Sequence, residues 1–124
     1  MHVTINTPDA PAAIGPYSQG VRTGDVLYCS GQLGCDPAGG EMREGVKAQA
    51  EQALRNLDAV CREAGTGLSK ALRCTIYLTD MADFAVVNEV YGSWFEAPFP
   101  ARACVQVAGL PKAGLVEIDA IVAL

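Results

Sequence analysis

The stretch VKAQAEQALRNLDAVCREA, residues 46–64, has apolar side chains at three- and four-residue steps, with charged and amide side chains between them. This spacing is typical of a helix that buries one stripe against a core. Gly65 follows at the C′ position, where glycine adopts a left-handed conformation at little cost, and Glu44 lies near the positive end of the helix dipole. The stretch therefore predicts an amphipathic helix with well-marked ends.

A strand is predicted directly after this helix. In residues 72–79, LRCTIYLT, apolar and polar side chains alternate, which indicates a strand with one face on the core. Asp80 is then placed to cap a second helix, which must end before Pro98. The apolar positions of that second helix are Phe84, Val87, Tyr91, Trp94 and Phe95.

The rest of the chain is predicted to form strands. Residues 26–30 have a strand pattern and are followed by turn-forming residues at 35–40. Two further strands, at about residues 101–107 and 116–122, close the chain. The resulting order, β-β-α-β-α-β-β, predicts a single α+β domain over residues 1–124, with two helices on one face of a sheet.

The last strand has apolar side chains on both faces. Val116, Ile118, Ala120 and Val122 point one way, whereas Ile121 and Ala123 point the other way. A single layer of helices covers only one of these faces. A second subunit is the simplest cover for the other, so the pattern predicts an oligomer.

Composition narrows the classes of function. Half of the 124 residues are hydrophobic and 19% are charged, as in globular proteins, and the net charge of −5 opposes binding to nucleic acid. The first residues lack the pattern of a signal peptide, and no apolar run is long enough to cross a membrane, so a cytoplasmic location is expected. The five cysteines form no CxxC pair and His2 is the only histidine, which disfavours a disulfide framework and a metal site.

Arg102 is the first candidate for chemistry. Arg102, Cys104 and Gln106 share one face of their predicted strand. If the last two strands pair as an antiparallel hairpin, Glu117 lies near Gln106 and Cys104, whereas a one-residue change of register turns Glu117 to the other face. Without other information, the preferred interpretation of Arg102 and Glu117 is an exposed ion pair that contributes little to stability.

Several long motifs favour a chemical role for Arg102 and Glu117 over a surface ion pair. They are residues 10–20 (APAAIGPYSQG), 30–32 (SGQ), 83–84 with 87–88 (DF and VN), 99–107 (FPARACVQV), 110–112 (LPK) and 116–120 (VEIDA). In this order and spacing, over nearly the whole chain, the sequence resembles the imine-deaminase branch of the RidA/YjgF family.

The resemblance implies a chorismate-mutase-like α+β fold that assembles as a homotrimer, with active sites in clefts between subunits. It also implies hydrolysis of reactive 2-imino or enamine acids, such as 2-iminopropanoate formed from 2-aminoacrylate and 2-iminobutanoate, to 2-oxo acids and ammonia. This activity protects pyridoxal-phosphate enzymes and requires no cofactor. Taken from the same resemblance, two alternatives remain: a small-ligand-binding or chaperone-like protein without turnover, and a ribonuclease or translation inhibitor.

The same resemblance implies roles for individual residues. Arg102 binds the substrate carboxylate as a two-pronged fork. Glu117 either accepts the proton of the attacking water or only positions that water, together with main-chain groups at Gly31 and Cys104. Cys104 is expected to pack rather than to act as a nucleophile, because no histidine base is near. The remaining pocket residues are Tyr17, Ser30 and Asn88, which without the resemblance are a turn residue, a strand end and a helix-surface amide.

Overall fold

The computed structural model describes residues 2–124, which form one mixed sheet and two helices. The strands are β1 (Val3–Ile5), β2 (Gly20–Thr23), β3 (Val26–Leu33), β4 (Ala71–Leu78), β5 (Ala101–Gln106) and β6 (Val116–Ala123), and the helices are α1 (Val46–Glu63) and α2 (Phe84–Gly92). Short 3₁₀ turns lie at Leu68–Lys70, Met81–Asp83 and Pro111–Ala113. The predicted α+β class and both predicted helices are confirmed.

The sheet order is β1-β2-β3-β6-β4-β5, and every neighbouring pair is antiparallel except β4 and β5. Parallel neighbours need a crossover connection, which α2 provides here. Because this crossover places β5 at the outer edge of β4, the other edge of β4 pairs with β6. The antiparallel pairing of the last two strands, which the sequence left open, therefore does not occur within one chain.

Helix α1 buries its apolar stripe against β3, β6 and α2. Leu54, Leu57 and Val60 have no exposed surface, and each fully buried side chain of this size stabilises the fold by about 1.5–3 kcal/mol. Gly65 has φ +88°, so it adopts the left-handed conformation predicted for it. The end of the helix is thus correctly predicted from sequence.

The two sheet faces differ as predicted for β6. Val116, Ile118, Ala120 and Val122 are buried under the helices, whereas Ile121 and Ala123 are only half-buried. Tyr28 lies opposite Ile121 on β3 and is 48% exposed. The face away from the helices, called the open face below, thus carries uncovered apolar surface.

Three local predictions need correction. Leu72 is half-exposed rather than buried, because the β4–β6 register shifts between Ala71 and Arg73. Trp94 and Phe95 follow α2 instead of belonging to it, since the helix ends at Gly92. Three strands precede α1, one more than the two predicted. Only residues 26–30 could be given bounds from the sequence, because β1 and β2 are too short to show a periodic pattern. Among residues 2–124, no helix has the length and apolar character needed to span a membrane.

Candidate active site

Arg102 is held by three side chains of α2. It lies opposite the buried Cys74 and therefore on the helix side of the sheet. Its Nη1 donates a hydrogen bond of 2.6 Å to Oδ1 of Asn88, and its Cζ lies 5.0 Å from the ring centre of Tyr91 and 5.5 Å from that of Phe84. Each cation–π contact contributes about 0.5–1 kcal/mol at exposed sites. Residues 84, 88 and 91 share one helix face, so α2 fixes the direction of the guanidinium.

The guanidinium has no carboxylate partner in the described part of the chain, where the ion pairs are Arg43–Asp36 and Arg62–Asp58. It faces a cavity of about 440 Å³, called the arginine cavity, which is lined by Asn88, Tyr91, Gly92, Phe99, Pro100 and Arg102. A planar guanidinium with free N–H donors is well suited to bind a carboxylate through two parallel hydrogen bonds.

A second cavity, of about 570 Å³, contains Tyr17, Ser30, Gly31 and Glu117 and is called the glutamate cavity. Its other lining residues are Pro11, Ala12, Ile14, Gln32, Leu33, Cys35, Pro111 and Lys112. Four of the predicted site residues, far apart in sequence, thus lie together at one concave surface. The lining is mostly apolar with a few polar groups, as in small-molecule sites.

A bulge in β3 makes room for Glu117. Cys29 pairs with Ala120 and Gln32 pairs with Ile118, so Ser30 and Gly31 together oppose one residue of β6. A Cβ atom on Gly31 would lie 2.5 Å from Oε2 of Glu117. Only glycine therefore fits here, and the bulge brings the main chain at Gly31 against the carboxyl group.

Glu117 has a perturbed protonation equilibrium. Burial raises the pKa of this carboxyl above its ordinary value, and the negative charge of Asp119 raises it further. Asp119 is itself held by hydrogen bonds from Thr75 N (3.2 Å) and from the Tyr77 hydroxyl (3.0 Å). A carboxyl with a raised pKa exchanges protons more readily near neutral pH, which suits a general base or acid.

A buried amide secures the loop that carries Tyr17. Gln19 is 2% exposed, and its Oε1 accepts a hydrogen bond of 2.7 Å from Thr7 N while its Nε2 donates to carbonyl groups of the preceding loop, among them Pro11 at 2.8 Å. Ser30 Oγ donates to the carbonyl of Ser18 at 2.5 Å. Sequence reasoning missed the role of Gln19, although it lies in the quoted motif just before Gly20.

Cys104 lies on the same face of β5 as Arg102, opposite the buried Ile76, and its side chain lines neither cavity. Burial raises the pKa of its thiol, an effect that the charge of Arg102 partly opposes. The thiol is therefore protonated at neutral pH, which disfavours a nucleophilic role.

The two cavities lie on different sides of the sheet. Glu117 pairs with Tyr77 of β4 and projects from the open face, whereas Arg102 projects from the helix face. Of the two arrangements that the sequence left open, the one that brings Glu117 near Gln106 and Cys104 does not occur within one chain. Among residues 2–124, no group of three or more His, Cys, Asp or Glu side chains is arranged to hold a metal ion.

Comparisons with known proteins identify the family to which this chain belongs. The model of a family described as endoribonuclease L-PSP matches residues 7–124. The RutC family protein y4sK of Sinorhizobium fredii is 53% identical, covering 97% of this chain and 96% of the relative. The 2-iminobutanoate/2-iminopropanoate deaminase of Bos taurus is 50% identical, covering 94% of this chain and 86% of the relative.

Among solved structures, RidA from the Antarctic bacterium Psychrobacter matches with a TM-score of 0.96 and 52% identity, over 98% of this chain and 99% of that one. Sequence similarity thus extends over at least 86% of each relative, and the fold agrees over 99% of the Psychrobacter chain. The chain therefore belongs to the RidA/YjgF family, as its sequence motifs imply.

Proposed function

We propose that this protein hydrolyses 2-imino acids, such as 2-iminopropanoate and 2-iminobutanoate, to 2-oxo acids and ammonia. The observation that carries the proposal is the oriented guanidinium of Arg102, which has no carboxylate partner among the described residues and faces a cavity. The glutamate cavity supplies a carboxyl group with a raised pKa. The name of the Bos taurus relative supports the same reaction.

The complete site is proposed to form between subunits of a homotrimer with a chorismate-mutase-like arrangement. Arg102 and Glu117 face different sides of one sheet, and apolar side chains on the open face have no cover in a single chain. In a closed ring, the arginine cavity of one subunit meets the glutamate cavity of the next. This arrangement brings a carboxylate-binding group and a proton acceptor to one substrate.

In this site Arg102 holds the substrate carboxylate and fixes the imine carbon in front of a water molecule. Glu117 accepts a proton as the water oxygen bonds to that carbon, and main-chain groups at Gly31 and Cys104 orient the water and the nitrogen. Return of that proton to the nitrogen makes ammonia the leaving group. As the carbon–nitrogen bond breaks, the hydroxyl group passes its proton to Glu117 and becomes the carbonyl of the 2-oxo acid, and this proton leaves with ammonia as ammonium. A protonated imine is already electrophilic, so the reaction needs neither a metal nor an organic cofactor.

The pocket residues have distinct proposed roles. Tyr17 and Ser30 form walls of the glutamate cavity around the substrate. Asn88 also lines the arginine cavity, but its side-chain oxygen already accepts from Arg102. We therefore propose that Asn88 orients the arginine more than it contacts the substrate.

The description of the matching family model raises ribonuclease activity as an alternative. RNA binding depends on basic surface, and the net charge of −5 opposes it. A largely apolar cavity of about 570 Å³ fits a small-molecule substrate better than a polynucleotide. We accordingly propose no nucleic-acid partner and no membrane partner, and we propose that the enzyme acts in the cytoplasm, where pyridoxal-phosphate enzymes release enamines.

The proposal is tested by generating the imine in situ with an amino-acid dehydratase in the presence of semicarbazide, which captures free imine. Addition of the protein is expected to increase 2-oxo acid formation and to decrease the semicarbazone formed from imine. A protein that binds the ligand without turnover would leave both rates unchanged, which would contradict the enzymatic proposal.

A further inference from the structure

Lys112 is the one cationic side chain among the residues that line the glutamate cavity. It belongs to neither of the ion pairs found in residues 2–124, and a Cβ atom added to Gly40 would lie 3.9 Å from its Nζ. The ammonium thus extends from the loop after β5 toward the turn that follows β3. Nothing in the reaction described above uses this charge.

The backbone holds Lys112 in an uncommon conformation. Lys112 has φ 57° and ψ 29°, and Ala113 has φ 55°, so two consecutive non-glycine residues are left-handed. The turn is closed by a hydrogen bond of 3.1 Å from Gly114 N to the carbonyl of Pro111. A Cβ on Gly114 would lie 2.8 Å from Cδ2 of Leu33, so the turn is pressed against β3. Strained backbone of this kind is typical of functional sites.

The size of the cavity leaves room for a substrate side chain. A volume of about 570 Å³ falls in the range of sites for ligands much larger than a three-carbon imino acid. Arg102, in the other cavity, accounts for the α-carboxylate in the proposed reaction. Lys112 lines the glutamate cavity, and no carboxylate among residues 2–124 pairs with its ammonium group, so this charge can serve an anionic substrate side chain.

We propose that Lys112 is a specificity-determining residue and that the substrates include 2-imino dicarboxylic acids, whose side-chain carboxylate pairs with its ammonium. This inference rests on the proposed deaminase function and names a substrate class for the same site. Apolar residues that line the same cavity, among them Ile14, Leu33 and Pro111, pack against the methylene groups of such a side chain.

The test compares 2-iminoglutarate with 2-iminohexanoate, a neutral substrate of similar length, each generated in situ by an amino-acid oxidase. Lys112→Met keeps the length of the side chain and the backbone preference but removes the charge. The ratio of kcat/KM for 2-iminoglutarate to kcat/KM for 2-iminohexanoate is expected to fall about tenfold or more in this variant. Lys112→Arg is expected to retain the ratio. Lys70→Met, an exposed lysine outside both cavities, is the matched control and leaves the ratio unchanged.

Two results would overturn the inference without affecting the deaminase proposal. One is a wild-type protein that hydrolyses 2-iminohexanoate but does not accelerate hydrolysis of 2-iminoglutarate. The other is a ratio that falls no further in Lys112→Met than in Lys70→Met, since an equal change would reflect net charge alone.

Calorimetry with the stable compounds 2-oxoglutarate and 2-oxobutanoate gives a readout that does not depend on turnover. Wild-type protein is expected to bind 2-oxoglutarate more tightly, and Lys112→Met is expected to lose that preference. A protein that hydrolyses no imine but shows this preference would refute the deaminase and retain the dicarboxylate site. If the wild-type protein and Lys112→Met each bind 2-oxoglutarate and 2-oxobutanoate with equal affinity, the dicarboxylate site is refuted.

Discussion

Arg102 and Glu117 lie opposite two residues of the same strand, Cys74 and Tyr77, but project from opposite faces of the sheet. The β4 strand separates β5 from β6, so the two side chains cannot reach each other within one chain. A reaction that needs both groups therefore requires two copies of the protein.

This geometry predicts complementation between inactive variants. Arg102→Ala and Glu117→Gln are each expected to lose most activity, whereas trimers reassembled from an equal mixture recover about one quarter of the wild-type sites, because each site takes one residue from each of two neighbours. Light scattering should show about three times the chain mass of 13.0 kDa. A monomer at micromolar concentration, or a mixture as inactive as its components, would refute the shared site.

Glu117 is predicted to be needed for activity but to lower the stability of the fold at neutral pH. Because its folded-state pKa is raised, protonation of Glu117 favours the fold, and this contribution is lost as pH rises through the raised pKa. Glu117→Gln stays neutral, so it should raise Tm at neutral pH while lowering kcat. The wild-type kcat should fall on the acid side at a pH above that expected for a free glutamate. Matched thermal melts and pH–rate profiles test this, and a Tm lowered by the substitution would contradict it.

Gly31 is predicted to tolerate no side chain. In Gly31→Ala the new methyl group would lie 2.5 Å from Oε2 of Glu117, so the carboxyl must move. We expect at least a tenfold loss of kcat/KM with retained secondary structure, since a misplaced reacting group costs about that much or more. The control is Gly39→Ala, where an added Cβ meets nothing within 4 Å. Equal activity of both variants would show that the bulge does not position Glu117.

Sequence patterns predicted the elements with regular periodicity. The stripe of α1, its end at Gly65 and the two apolar faces of β6 all depend on local spacing, and the structure confirms them. Strand pairing depends on contacts between distant segments, which is why the sequence left open whether β5 and β6 form a hairpin. The parallel crossover through α2 becomes evident only from the sheet order, in which β4 lies between β5 and β6.

The residues of the candidate site could also be predicted only in part from the sequence. Motif resemblance indicated Tyr17, Ser30, Gly31 and Glu117, which do lie together in one cavity. It gave no role to the aromatic side chains that support Arg102, although Phe84 lies in a quoted motif, since an aromatic side chain on a helix is usually part of the core. Tyr91 is indeed 4% exposed, yet its ring also faces the guanidinium. Such double roles depend on three-dimensional contacts that spacing does not reveal.

The guanidinium of Arg102 is predicted to hold the substrate rather than the fold. Arg102→Ala removes a charged partner of the substrate carboxylate, a loss of about 2–5 kcal/mol, which corresponds to about 30-fold to several-thousand-fold in kcat/KM. Arg102→Lys should recover only part of this, because lysine keeps the charge but lacks the two parallel N–H donors and the planar group that lies over Tyr91 and Phe84. Asn88 would also lose its arginine partner, at 2.6 Å in the wild type. The control is Arg55→Lys, an exposed arginine of α1 outside both cavities. Steady-state kinetics with circular dichroism and light scattering measure these effects. Wild-type kcat/KM in Arg102→Ala, with the trimer intact, would exclude a role for this residue in binding the substrate.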